Sequence, residues 1–209
     1  MDKTKTKWYI RPLVEGVRNY GINACEKKAQ ELAFCCKGDA VNIGGGKNKR
    51  WENLKCIDAM HEKDLDFNTK PLPFADNSCG LIVCEQVIEH LHNTTYFLSE
   101  LYRILAPGGM LLLSTENLAS LPNLFALILQ RAPFSTQALC GSFLGGWKDG
   151  PAGYDDGVET NHPTYAGVHG HVRVMTTNQL KALFKNQGFS IEGKYGYGGN
   201  HYILFNLSK

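Results

Sequence analysis

The residues best suited to chemistry fall into two groups. The first is Gly44, Gly45 and Gly46, three glycines directly after the apolar stretch from Ala40 to Ile43. Glycine lets a chain turn sharply and lets a ligand approach the backbone. In an open α/β sheet, such a turn after the first strand marks where a nucleotide-like ligand lies. Asp58 follows in KCIDAM, where a carboxylate ends a second apolar segment. The second group is Glu89 with His90, an acid beside an imidazole just after the apolar run GLIVC. That pair invites a catalytic or a metal reading; packing and bonding at the start of a helix is the alternative.

These groups need elements to hold them. Ala40 to Ile43, Lys55 to Met60, Gly80 to Cys84 and Met110 to Ser114 read as strands, short and apolar enough to be buried. Asp64 to Phe67 reads as a short third strand or its run-in. Lys47 to Lys55 is too short for a full helix, so a loop or single turn is expected there, with Trp51 plugging the gap. Phe97, Leu98, Leu101, Tyr102, Ile104 and Leu105 follow helical spacing, with Thr94 or Thr95 as cap. Helices are expected from Trp8 to Tyr20 and from Ala24 to Cys36, over one face or the mouth of the sheet. Thr176 or Thr177 caps a last helix, Gln179 to Asn186, stopped at Gly188. Phe189 to Tyr195 and His201 to Leu207 read as a closing antiparallel pair. Alternating strands and helices predict a parallel sheet with right-handed crossovers.

Between Asn117 and Thr176 that rhythm breaks. An apolar helix candidate, Leu121 to Gln130, precedes a glycine-rich loop carrying Trp147, Tyr154 and Tyr165. The helix reads as a lid over an acceptor pocket, a membrane-touching segment, or a core helix. The aromatics line an acceptor site or anchor the loop.

Composition sets the bounds. The 209 residues suit one domain with a full core. Hydrophobic residues make up 43% and charged residues 20%, ordinary for a globular protein. A net charge of +2 and the lack of a basic stripe argue against a nucleic-acid partner. Seven cysteines, an odd count with no CxxC pair, argue against a disulfide framework or zinc ribbon. No apolar run reaches the roughly 20 residues of a membrane span, and the first residues do not read as a signal peptide. A cytoplasmic protein with reduced thiols is the expectation.

Five ordered blocks, VNIGGGKNK, CIDAM, DLDFNTKPLPFADNSCGLIVCEQVIEHL, LYRILAPGGMLLLSTEN and HVRVMTTNQLKALFKNQGF, resemble the class I S-adenosylmethionine-dependent methyltransferases. The resemblance covers about Val41 to Asn117 and His171 to Phe189. It implies a doubly wound, Rossmann-like, mostly parallel α/β sheet of seven strands with an antiparallel last strand. It implies a single domain over 1–209, with N-terminal helices over 1–39 and an acceptor-side insertion or lid over 117–176. Within the family the chain looks most like a bacterial subgroup with a shortened first helix, many of whose members look like glycan or small-metabolite enzymes.

The same resemblance assigns roles. Asn42, Gly44, Gly45 and Gly46 would meet the methionine part of S-adenosyl-L-methionine. Asn42 stands where the family usually has an acid, and Asn48 where it has a third glycine. Asp58 would accept from both ribose hydroxyls. Asp66 with Phe67 would sit at the adenine, Asp64 being the competitor, and Cys84 and Glu85 would offer backbone groups. His90 or His171 would be the base for an oxygen acceptor. Metal-dependent small-RNA methyltransferases carry a glutamate–histidine pair at such a place, but Gln86 stands where they have an earlier glutamate; no metal is expected. The function implied is in-line O-methylation of a small molecule or glycan. A non-catalytic binding module and a metal-dependent RNA methyltransferase are the alternatives.

Overall fold

The computed structural model describes residues 38–45, 54–59, 64–130, 171–197 and 202–209, with Lys27, Glu62, Pro133 and Ser135. Gly46, Asn48, Trp51, the aromatic loop and, apart from Lys27, the expected N-terminal helices lie outside the described residues. Six strands are seen: β1 (Asp39–Ile43), β2 (Lys55–Ile57), β3 (Cys79–Glu85), β4 (Leu105–Glu116), β5 (Ser190–Tyr197) and β6 (Tyr202–Ser208). Three helices accompany them, α1 (Thr94–Ile104), α2 (Leu121–Ile128) and α3 (Thr177–Asn186), with a 3-10 turn at Ile88–His90.

The sheet order is β2-β1-β3-β4-β6-β5. The first four strands in that order are parallel, and β6 runs against both β4 and β5. β3 lies centrally, and only its last residue, Glu85, is not buried. An unbroken apolar run fits a strand covered on both faces. The residues of β1 and β3 alternate between two cores. Val41, Ile43, Ile82 and Cys84 join Phe97, Leu101 and Phe184 from α1 and α3. Leu81 and Val83 turn the other way, with Leu112 and Leu204.

The mixed, mostly parallel α/β sheet agrees with expectation, but its strand count among the described residues is six rather than seven. Asp64–Phe67 is not a strand. The carbonyl of Asp66 accepts from the N–H groups of Thr69 and Lys70 at 3.1 and 2.8 Å, which folds the segment into a turn. β2 ends at Ile57 rather than Met60, because Glu62 N–H donates to the Asp58 carbonyl at 3.0 Å and reverses the chain. The cap of α1 is Asn93, whose side chain accepts from Tyr96 N–H, not Thr94 or Thr95. Thr176 caps α3 in a full capping box with Gln179.

The LPFADNS phrase has a structural explanation. Arg103 of α1 donates to the carbonyls of Leu72 and Phe74 at 3.0 and 2.9 Å and pairs with Asp76 and Glu100. Glu100 in turn accepts from Leu72 N–H at 2.7 Å. The loop is thereby tied to the helix, and Leu72 and Phe74 are buried beneath it.

No helix among the described residues is long and apolar enough to cross a membrane. α2 nonetheless exposes Leu121, Leu124, Phe125, Leu127 and Ile128 while burying Asn123 and Ala126. The core-helix reading of this segment is therefore overturned among the described residues.

Candidate functional site

Parallel pairing places the carboxyl ends of β1, β2 and β3 on one edge, since Ile43 is in register with both Ile57 and Cys84. Gly44 leaves β1 with φ +82°, and its N–H donates to the Ile57 carbonyl at 2.8 Å. A Cβ there would run into Val87, and a Cβ at Gly45 would strike the amide of Asn42. Position 44 therefore requires glycine, and a side chain at position 45 would require Asn42 to shift. Asn42 is fully buried, and neither its Nδ2 nor its Oδ1 finds a hydrogen-bond partner among the described residues. A buried orphan amide is costly. Its place beneath a glycine turn fits a ligand with a charged amino-acid end, as S-adenosylmethionine has.

Asp58 directly follows β2 and is partly exposed, with its N–H donating to Glu62 Oε1 at 3.2 Å. Glu62, a second carboxylate at this edge, was not singled out from sequence. Asp66 uses both carboxylate oxygens in its own loop: Oδ1 accepts from Asn68, Oδ2 from Thr69 Oγ1 at 2.8 Å. The ring of Phe67 is buried against Phe97, centroids 5.3 Å apart, so only its main chain faces outward roles. Cys84 is fully buried, and burial holds its thiol well above the usual range. Glu85 ends β3 beside it and is partly exposed.

The structure brings Glu89, His90 and His171 together. The carbonyl of Glu89 accepts from Val172 N–H at 2.8 Å and Arg173 N–H at 3.0 Å. Leu118 N–H donates to the Met175 carbonyl at 3.0 Å, and Arg173 Nη2 to the His92 carbonyl at 3.3 Å. These bonds tie the His171 segment to the exits of β3 and β4. The rings of His90 and His171 meet edge to face, centroids 4.8 Å apart.

Glu89 is fully buried, and its Oε2 accepts from Thr115 Oγ1 at 2.9 Å. With its amide nitrogen turned toward Glu89, Gln86 donates to Oε1 at 3.0 Å and accepts from Thr115 N–H at 3.3 Å. A glutamine here supplies a donor where a glutamate would set two carboxylates together. Burial raises Glu89 to about 7, against the opposing charge of His171. His171 Nδ1 lies 2.7 Å from the Ser135 carbonyl and 3.4 Å from Glu116 Oε2. Burial pulls this imidazole down, but contact with Glu116, the charge of Glu89 and the Ser135 carbonyl outweigh it, giving about 9.

Glu89, His90 and His171 each offer a ligand atom within 4.8 Å of the others. Ligand atoms of a tetrahedral zinc site lie roughly 3.4 Å apart, given its bond lengths. As it stands, Glu89 is hydrogen-bonded by Thr115 and Gln86, and the two imidazoles beside it are in ring contact. Sequence reasoning missed Thr115, Glu116 and Asn123. The signal for the first two was position: polar residues at the carboxyl end of a buried parallel strand face the ligand crevice.

Residues 46–113 match the family described as a methyltransferase domain. A protein of Mycolicibacterium smegmatis, described as a probable S-adenosylmethionine-dependent methyltransferase, is 48% identical over 120 aligned residues. That match covers 47% of this chain and 46% of the relative, so the chain spans about half the length of the curated relative it matches. Among solved structures, the chain is similar to a methyltransferase of Thermotoga maritima, a possible histamine N-methyltransferase. The TM-score is 0.52 at 15% identity, covering 95% of this chain and 97% of that one. A methyltransferase of Aquifex aeolicus gives a TM-score of 0.52 at 12% identity, covering 88% and 89%. At these identities the likeness is one of fold.

Proposed function

We propose that this chain, which carries a class I S-adenosylmethionine-dependent methyltransferase domain, transfers a methyl group in line to an oxygen of a small molecule or glycan. The family match and the 48% identical relative support the domain and, with it, the cofactor. One observation carries the rest: the glycine turn with its orphan amide, Asp58 and the Glu89–His90–His171 cluster, with Glu89 buried, share one edge of the sheet.

Asn42, Gly44, Gly45 and Gly46 would hold the amino-acid end of the cofactor and Asp58 its ribose. Asp66, Phe67, Cys84 and Glu85 would frame the adenosine, mainly through main-chain groups. When bound, the cofactor would supply a sulfonium methyl as the electrophile for the acceptor oxygen, with the departing sulfur keeping the C–S electron pair. The chain's own work is to align the acceptor and exclude water, which contributes much of the rate. His90 or His171 would take the acceptor's proton. The segment over 117–176, with the apolar face of α2, would border the acceptor within a single domain.

Calorimetric titration with S-adenosylmethionine tests the reading, followed by a search for a one-methyl mass gain on hydroxylated small molecules and glycans. Saturable heat and a methylated product are expected. No heat at high cofactor concentration would leave the non-catalytic binding module, to which the uncharged Asn42 already points.

A further inference from the structure

We infer that Glu116 is a positioning residue for this reaction. With the Ser135 carbonyl it fixes the proton of His171 on Nδ1, leaving Nε2 to exchange a proton with the acceptor's hydroxyl. This rests on the methyltransferase reading above.

The tautomer follows from the partners. A carbonyl oxygen only accepts, so at 2.7 Å from Ser135 O the Nδ1 of His171 must donate. A neutral imidazole has one N–H, so Nε2 then carries the free lone pair. Glu116 Oε2 stands 3.4 Å from the same Nδ1 and is buried, with no hydrogen bond among the described residues. A buried carboxylate oxygen without a hydrogen bond is held at a cost unless a charge faces it. His171 supplies that charge when it takes a second proton.

Both partners hang from the exit of β4. Glu116 ends the strand and Asn117 follows it. The Asn117 carbonyl accepts from Asn123 Nδ2 at 2.9 Å. The Asn123 amide then grips Ser135 twice, donating to its Oγ at 2.7 Å and accepting from its N–H at 3.1 Å. This explains why a helix as apolar as α2 buries an asparagine.

In the transfer, His171 in its neutral form, populated as pH rises toward its value of about 9, takes the acceptor's proton on Nε2. The electrons of the broken O–H bond remain on oxygen, which forms the new bond to carbon. The imidazolium produced is balanced by Glu116. Among the described residues, Glu89 and His90, on the 3-10 turn, are the other titratable groups facing this ring. The raised affinity of His171 for its proton agrees with this pairing.

The test is nitrogen-15 NMR of the histidines in the full chain, with calorimetry of S-adenosylmethionine as companion. Neutral His171 should show its proton on Nδ1 and titrate above the ordinary histidine range. Glu116→Gln should lower that midpoint by about one pH unit or more, a tenfold change in proton affinity, and Glu116→Asp should restore much of it. Cofactor affinity should stay within about twofold, because Glu116 is outside the cofactor groups. An unchanged midpoint in Glu116→Gln, or a proton on Nε2 in the neutral ring, would overturn the inference. Should Glu116→Gln not fold, Asn123→Ala serves: it frees Ser135 and should abolish the preference for Nδ1, and an unaltered tautomer overturns the proposal. Absent cofactor binding by the parent chain would instead defeat the methyltransferase reading, whatever the NMR result.

Discussion

The main-chain N–H of Val172 donates to the carbonyl oxygen of Glu89 at 2.8 Å, and through it two segments distant in sequence share one site. That bond and its neighbour from Arg173 fix the main chain beside His171 directly onto the 3-10 turn. The cluster is thus assembled by backbone, and its side chains inherit their places from it.

Asp58→Ala should weaken S-adenosylmethionine binding by about ten- to a hundredfold, the value of hydrogen bonds to a charged acceptor. Stability should move by no more than about 0.5 kcal/mol, because the side chain is partly exposed. Calorimetry and urea unfolding measure the two effects. An unchanged affinity would assign the ribose to another acid, with Glu62 the neighbour to test next.

Gly44→Ala should destabilise the chain by about 1–3 kcal/mol through its left-handed backbone, with a further cost from the contact with Val87. Combining it with Val87→Ala should recover the steric part only. Full recovery in urea titrations would show that backbone conformation is not limiting at this turn.

The cluster should make the chain less stable in alkali. Glu89 keeps its proton to about 7 against an ordinary 4.5, so between those values the folded chain binds more protons than the unfolded one. Stability therefore falls as pH rises across that window. His171, at about 9 against 6.5, acts with the same sign at higher pH: its contribution is complete below 6.5 and lost through 9. Glu89→Gln should flatten the lower part of the thermal-midpoint profile and His171→Gln the upper part. Profiles parallel to that of the parent chain would refute this assignment.

Arg103→Ala should cost about 2–3 kcal/mol, since it strips two loop carbonyls of a donor and leaves Glu100 largely buried without its cation. Cofactor affinity of the folded fraction should be preserved. A selective loss of affinity would make the LPFADNS loop part of the site instead of its support.

Chelator treatment should leave both the thermal midpoint and S-adenosylmethionine affinity unchanged, as Glu89 is satisfied by Thr115 and Gln86. A midpoint that fell on chelation and returned with zinc or manganese would establish a metal centre at Glu89, His90 and His171.

Much of this was legible in the residues. GLIVC could only be a doubly covered strand, and Gly44 demanded a turn that other residues resist. A threonine cap at 176 or 177 was legible from side-chain chemistry, and the structure resolves it to Thr176 with Gln179. Asp64–Phe67 was harder, because the folding-back of that segment depends on Asp66 engaging Asn68 and Thr69, which hydrophobic pattern does not report. The apolar run of α2 left lid, membrane-touching and core readings open; its leucines face outward and its asparagine inward. Glu116 carried a positional signal at the exit of a buried strand, but its link to His171 could not be read, because no local spacing joins the two.

The parallel register has a practical corollary. Asn42, Gly44, Gly45, Asp58, Cys84 and Glu85 lie where β1, β2 and β3 finish, while Asp39 and Lys55, at the beginnings of β1 and β2, are exposed. A fluorophore or affinity handle grafted at those starting positions would report on the folded sheet from the rim opposite Gly44, Asp58 and Glu85.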